Sequence, residues 1–349
     1  MSETSRKKII NRIENLRGSR IITYVMTNRP NIRSDMDSAD IIRFREHLDD
    51  ICTKCKKLDL FLYSYGGELE AAWELVNLLR EYDLDFSVLV PYHCRSSATL
   101  LAMGAREIVM GRMGTLGPID PTIRLSGGQL EGMEISLADM DTYEDFLREE
   151  YQIIRPEEKI KAFEKLVQAV SPILIGRAYR NYLETRDDAT KLLRRYINDP
   201  KKVEKIVRCF LHGIHTHNHS ISRGEARSIG LNVINASAQM EILIWNLYKE
   251  YEKTMQMDIP YIDVPPKNRS EREIPFTYIE SAKITVKKIG LQKFKKLNYP
   301  AGSALTSQNG TPAVYLPGGN IMPVWTTGEL IMFEGSIYEK TEDIYWIHE

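Results

Sequence analysis

Short apolar runs and helically spaced segments alternate along the first third of the chain. Arg20–Met26 (RIITYVM), Leu58–Tyr63 (LDLFLY), Phe86–Pro91 (FSVLVP) and Glu107–Met110 (EIVM) are bounded by turn residues, and each predicts a strand. Between them, residues 5–17 predict a helix stopped by Gly18, and residues 38–56 a helix with Asp37 or Ser38 as N-cap. Residues 68–82 place Ala71, Leu75, Leu78 and Leu79 on one helical face, and residues 96–104 begin a short helix in small side chains. Strands and helices alternating at this spacing imply right-handed crossovers and a largely parallel sheet, an α/β fold.

Beyond residue 139 the pattern turns helical. Residues 139–154, 156–169, 173–183, 201–211 and 236–255 read as helices, with Pro156 in the first turn of the second. Ser222 caps a shorter one that stops at Gly230. Pro260 to Pro275 holds four prolines and several charges and reads as a linker. The remainder is rich in β-branched and aromatic residues with turn signals at Asn309-Gly310 and Pro317-Gly318-Gly319. The expected division is a main domain over 1–259, a linker over 260–275, and a small β-rich C-terminal domain over 276–349.

Composition narrows the class without naming the chemistry. The 349 residues are 43% apolar and 27% charged, which excludes wholesale disorder. Lys and Arg number 47 against 48 Asp and Glu, so binding of nucleic acid by bulk electrostatics is not expected. No apolar run reaches the roughly 18 residues of a membrane-spanning helix. The opening MSETSRKKIINRIENLRGSR has no apolar core of a signal peptide. With only four cysteines, the expectation is a cytoplasmic protein that does not act at a membrane. Cys52 and Cys55 form a C-x-x-C within a helical stretch, no second pair completes a zinc site, and Cys94 and Cys209 are isolated, so no metal or other cofactor is expected.

Two turns, one βα unit apart, carry the candidate chemistry. Tyr63-Ser64-Tyr65-Gly66-Gly67 follows a strand and precedes a helix, and its glycines let the backbone turn sharply and approach a ligand. Arg95-Ser96-Ser97-Ala98-Thr99 follows the next strand and opens the next helix. Together they offer a serine nucleophile and backbone N–H groups for an oxyanion, each such donor worth about 3–4 kcal/mol in acyl transfer. Read separately, each is only a tight βα turn, and Ser-Ser at a helix start is an ordinary N-cap. Their position at successive strand ends is where α/β sheets bind ligands.

The segments LRGSRII, LDLFLYSYGGELEAAWELVNLLR, VLVPYHCRSSATLLAMGAREIVMGRMGTLGPIDP and THNHSISRGEARSIGLNV, in order over about 15–235, closely resemble the serine dehydrogenase proteinase family. That family sits with signal peptide peptidase A and the Clp protease in the crotonase-like superfamily. The resemblance implies a ClpP/crotonase-like spiral of ββα units with helical additions, a homo-oligomer, and ATP-independent serine peptidase activity on peptide or protein substrates. It puts Ser96 on the nucleophile, Gly66 and Gly67 on the oxyanion-hole glycines, and the Ser97 N–H on the second donor. The sequence departs from the family at Ser97-Ala98, where extra side chains are expected to narrow the pocket. It departs again at Arg95, a cation that lowers the serine pKa, binds a substrate carboxylate, or forms a surface ion pair.

The general base is open. His217 matches a family segment, and Asp120 of GPIDP either orients a base or caps a turn. Lys159, Lys161 and Lys165 suit a serine–lysine dyad or a solvated helix face, and a base from a neighbouring subunit is a further possibility. His93 stands three residues before Ser96. His212, His215, His217 and His219 form a histidine cluster without an acidic ligand pattern. Two alternatives keep the fold: a crotonase-like acyl-CoA enzyme, and a scaffold that has lost its hydrolytic role and recruits partners.

Overall fold

The computed structural model describes residues 3–52, 56–125, 132–212, 219–266, 269–308, 311–324, 326, 328–334 and 336–348. Helix α1 (Glu3–Arg17) leads into strand β1 (Arg20–Met26). Helices α2 (Ser38–Ile41) and α3 (Phe44–Cys52) cross to β2 (Lys57–Tyr63), and α4 (Leu69–Glu81) crosses to β3 (Asp85–Val90). After the two-residue strand β4 (His93–Cys94), α5 (Ser97–Met103) crosses to β5 (Ile108–Met110). The strands fall within a residue or two of the apolar runs that predict them.

Short strands β6 (Thr115–Leu116), β7 (Thr122–Arg124) and β8 (Glu134–Ser136) then lead to helices α6 (Leu137–Tyr151), α7 (Pro156–Ala169), α8 (Pro172–Arg194) and α9 (Pro200–His212). Strand β9 (Ile221–Ser222), α10 (Arg223–Ile229), β10 (Val233–Asn235) and α11 (Ala238–Thr254) follow. The C-terminal part holds β11 (Glu271–Glu280), β12 (Thr285–Leu297), β13 (Ala304–Gln308), β14 (Thr311–Tyr315), β15 (Ile321–Pro323), β16 (Glu329–Phe333) and β17 (Ser336–His348).

Nine strands form one mixed sheet in the order β10-β5-β3-β2-β1-β11-β12-β17-β16. The first five are parallel, with Tyr24 beside Leu62 and Leu60 beside Val88. From β11 onward the sheet runs antiparallel, and Ile279 of β11 pairs with Tyr24. The parallel strands read as largely apolar runs because both faces are covered. Ile22, Tyr24, Leu60, Leu62, Val88 and Val90 point into one core with α4 and α5. Their neighbours Ile21, Val25, Phe61, Tyr63 and Leu89 point into a second, shared with α1 and α11.

The C-terminal strands are tied in by a buried polar network. Arg6 Nε donates to Glu280 at 2.7 Å, Tyr251 donates to the same carboxylate at 2.6 Å, and Thr285 donates at 2.9 Å. Near the start of β2, inside the sheet, Arg17 grips Asp59 with two 2.9 Å bonds and Ser19 donates to it at 2.5 Å. That contact accounts for the polar RGS stretch before β1.

Two helices differ from expectation. The helix expected over 38–56 breaks after Ile41, where Asp40 is fully buried, accepts from Tyr24 at 2.7 Å, and lies 3.2 Å from Lys288 Nζ. The helix expected over 173–183 continues to Arg194, because Thr185, Ala189, Leu192 and Leu193 extend its buried face with no breaker between. Among the described residues no helix is long and apolar enough to cross a membrane.

Candidate active site

The turns after β2 and β4 are bonded to each other. Ser64 N donates to His93 O and Arg95 N donates to Ser64 O, both at 3.0 Å, so the two chain segments run side by side toward α4 and α5. Ser96 sits at the head of α5 with φ +51° and ψ −123°, a conformation that costs a non-glycine residue about 1–3 kcal/mol. Strain of this kind persists only where the surroundings hold it. Here Thr99 donates to Cys94 O at 2.8 Å and accepts from Gly117 N at 3.1 Å, clamping the start of the helix to the strand before it.

Glycine is obligatory opposite the serine. Gly66 has φ +113°, and a Cβ there would lie 2.7 Å from Ser96 Cβ and 3.2 Å from Ser96 Oγ. Gly67 has φ +145°, and its Cβ would fall 2.2 Å from Met36 N. Gly66 and Gly67 therefore let two backbones pass closely on both sides of one turn. The N–H of Gly66 is already used, donating to Ser64 Oγ at 3.0 Å. The N–H groups of Gly67 and of Ser97, the first residue of α5, have no acceptor among the described residues.

The Ser97 side chain does not narrow the pocket as expected. It is wholly buried, with Oγ 3.3 Å from Met36 Sδ, and Ala98 is buried beside it. Arg95 is no surface ion pair either. Its Nη2 donates to Ser220 Oγ at 2.7 Å, its guanidinium lies 5.3 Å from the Tyr65 ring centroid, and its buried Nε has no partner. Burial raises the Tyr65 hydroxyl pKa, and the Arg95 cation opposes that rise.

Ser96 opens into a cavity of about 660 Å³ that Arg95, Tyr65, Gly67 and Asp120 also line. The structure thus brings Asp120 to the same cavity as the serine, partly buried. His93 faces another way: Nδ1 lies 3.0 Å from Thr115 Oγ1, and the ring stacks on Tyr92 with centroids 3.6 Å apart. Burial, helped by the Arg95 charge, pulls its pKa down to about 4. Ser96 Oγ makes no hydrogen bond to any described residue.

Lys159, Lys161 and Lys165 lie exposed on α7 and do not line the cavity; Lys159 pairs with Glu144 at 2.5 Å. His217 and His215 lie outside the described residues, as do Cys55 and the side chain of Cys52. Among the described residues no group of three His, Cys, Asp or Glu side chains is placed to hold a metal.

Sequence reasoning missed two features of the cavity. His212 lines it, with Nδ1 3.3 Å from Asp141 Oδ2 and its ring 4.7 Å from the Tyr182 centroid. Burial raises the Asp141 carboxyl pKa and His212 opposes this. Part of its wall is built from β8 and α8, through Glu134, Glu184 and Asp188, residues more than 30 positions from either turn. No local motif marks them; the long helix α8 carries two of them there.

Two uncharacterized proteins of Methanocaldococcus jannaschii are similar to this chain. One is 23% identical over 257 residues, covering 71% of this chain and 80% of its own. The other is 24% identical over 280 residues, covering 76% and 84%. Two solved mutant forms of the 1510-N membrane-bound stomatin-specific protease align with TM-scores of 0.37 and 0.36 at 13% and 15% identity. They cover 65% and 59% of this chain and 84% and 73% of theirs, the second in complex with a substrate peptide. Residues 1–129, which contain both turns, match the family model of the ClpP-like SDH-type serine proteinases.

Proposed function

We propose that this chain is an ATP-independent serine peptidase whose nucleophile is Ser96. One observation carries the reading: Ser96 is held at φ +51° against a glycine that nothing larger can replace, at the mouth of a cavity, with two N–H groups lacking acceptors beside it. In the proposed reaction Ser96 Oγ attacks a peptide carbonyl carbon and gives its proton to the base. The carbonyl oxygen becomes an oxyanion held by the N–H groups of Gly67 and Ser97. Collapse expels the amine, which takes the proton, and water then releases the acyl group. Gly66, whose N–H is engaged by Ser64, keeps the space beside the nucleophile open.

His217 is the proposed base, with Asp120 in its support; a lysine such as Lys159 or Lys161 from another subunit is the alternative within this scheme. His212, on the same cavity and paired with Asp141, is a further imidazole for the role. The catalytic portion is taken as 1–259, acting on peptides or proteins in the cytoplasm as a homo-oligomer. The small number of cysteines supports that compartment. No G-x-x-x-x-G-K-[ST] loop occurs in the sequence, which supports hydrolysis without ATP. The test is turnover of a fluorogenic peptide pool by wild type and by Ser96→Ala. Loss of at least about 10³-fold supports the assignment, and an unchanged rate removes Ser96 from the mechanism.

A further inference from the structure

We infer that the cavity beside Ser96 selects cationic peptide segments, lysine- or arginine-bearing, as the substrate class of the peptidase proposed above, on which this inference rests. Eight carboxylates line the cavity against two guanidiniums, and no lysine lines it among the described residues. The charges are distributed over separate elements. Glu68 and Glu70 stand at the start of α4, Asp120 follows the GP turn, Glu134 lies on β8, and Glu184 and Asp188 project from α8. A peptide whose carbonyl reaches Ser96 therefore lies in a cavity whose acidic side chains come from several elements.

Ion pairs among the described residues leave Glu70 and Glu184 of this wall without a cation. Arg33 is paired with Asp35 at 2.6 Å, so one of the two guanidiniums is already spent. Arg95 is held by Ser220 and Tyr65, with no carboxylate partner among the described residues. Of the acids, Asp188 has Lys191 at 3.3 Å. Glu70 and Glu184 make no hydrogen bond or ion pair among the described residues, and both are exposed to the solvent that fills the cavity. The whole chain is nearly neutral, with a net charge of -1, so the negative field is local to this site and not a property of the whole surface. Carboxylates converging on a concave surface focus that field and attract cations. Each exposed contact is weak and salt-sensitive, but two or three acting together amount to about tenfold in affinity.

The experiment measures binding apart from chemistry. Fluorescently labelled nonapeptides of equal apolar content, one with four lysines and one with four glutamates, are titrated against full-length Ser96→Ala at low and high salt. The expected result is that the lysine peptide binds at least about tenfold more tightly at low salt, with the preference shrinking at high salt. Glu70→Gln with Glu184→Gln should cut the preference about threefold, whereas Glu164→Gln, on the exposed face of α7 outside the cavity, should not change it. Equal binding, a preference for the glutamate peptide, or a preference indifferent to the double substitution overturns the inference. Active-site labelling of the wild type on Ser96 is read in parallel, so a failed peptidase reading shows as absent labelling and a failed charge preference as labelling without discrimination.

Discussion

Gly66 and Ser96 face each other so closely that a Cβ on the glycine would lie 2.7 Å from the serine Cβ. The glycine also has φ +113°, which strains any other residue. Gly66→Ala must therefore displace the nucleophile or the turn that carries it. Peptidase activity is expected to fall at least about 100-fold, since misplacement by about 1 Å has that effect. Circular dichroism should show the fold retained. Activity within threefold of wild type would mean that the contact does not position Ser96.

Gly67→Ala is a different experiment, because the obstruction is main chain. The added Cβ would stand 2.2 Å from Met36 N and 2.4 Å from Met36 O. Those atoms belong to the segment that bonds Gly66 O and Glu68 N at 2.8 and 2.9 Å, so it cannot yield without losing both bonds. A loss of about 3 kcal/mol or more is expected in urea unfolding. A loss under 0.5 kcal/mol, about the size of an ordinary surface substitution, would contradict this account.

Glu280 connects the C-terminal strands to the first helix. It is fully buried, accepts from Arg6, Tyr251 and Thr285, and has no solvent route for its charge. Glu280→Gln leaves the Arg6 guanidinium buried without its counter-charge, and a loss of about 3–5 kcal/mol is expected. The same logic applies to truncation at residue 275. It removes the second half of β11, including Tyr278 and Ile279, from the edge of β1, and an insoluble chain is expected. A soluble, cooperatively unfolding 1–275 fragment would show that the strands after it are dispensable to the main domain.

Two buried histidines are expected to contribute to the acid response. Burial draws the pKa of His47 down to about 4, the nearby His348 contributing, and His93 likewise to about 4. His47 is fully buried, its Nδ1 lies 3.1 Å from Ser281 Oγ, and its Nε2 has no partner. Both rings stay neutral in the folded chain, while the unfolded chain binds protons near pH 6.5. The stability they contribute is present above pH 6.5 and is lost as pH falls toward 4, by up to about 3 kcal/mol for His47. His47→Phe should flatten urea midpoints between pH 6.5 and 4.5; an undiminished slope would assign the acid response to other groups.

The strands β1, β2, β3 and β5 were legible because each is a largely apolar run, buried on both faces and bounded by turn residues. Gly66 and Ser96 were legible because a sharp turn at a strand end needs particular residues in a particular order. The partition of labour between the glycines was not. Which N–H is taken depends on Ser64 Oγ bending back to Gly66, a choice made by three-dimensional contacts. The acidic wall was equally hidden, since Glu134, Glu184 and Asp188 look like solvated helix and turn positions until α8 is laid across the cavity. Nor does any local pattern state that β11, beginning at Glu271 inside the proline-rich stretch, pairs with β1, some 250 residues earlier.

The assignment of Ser96 is tested most directly by treating the intact protein with a fluorophosphonate and locating the adduct by peptide mass spectrometry. A single adduct on the Ser96 peptide, absent from Ser96→Ala and sharply reduced in Gly66→Ala, is the predicted result. An adduct on another serine, or labelling of Ser96→Ala equal to wild type, would contradict it.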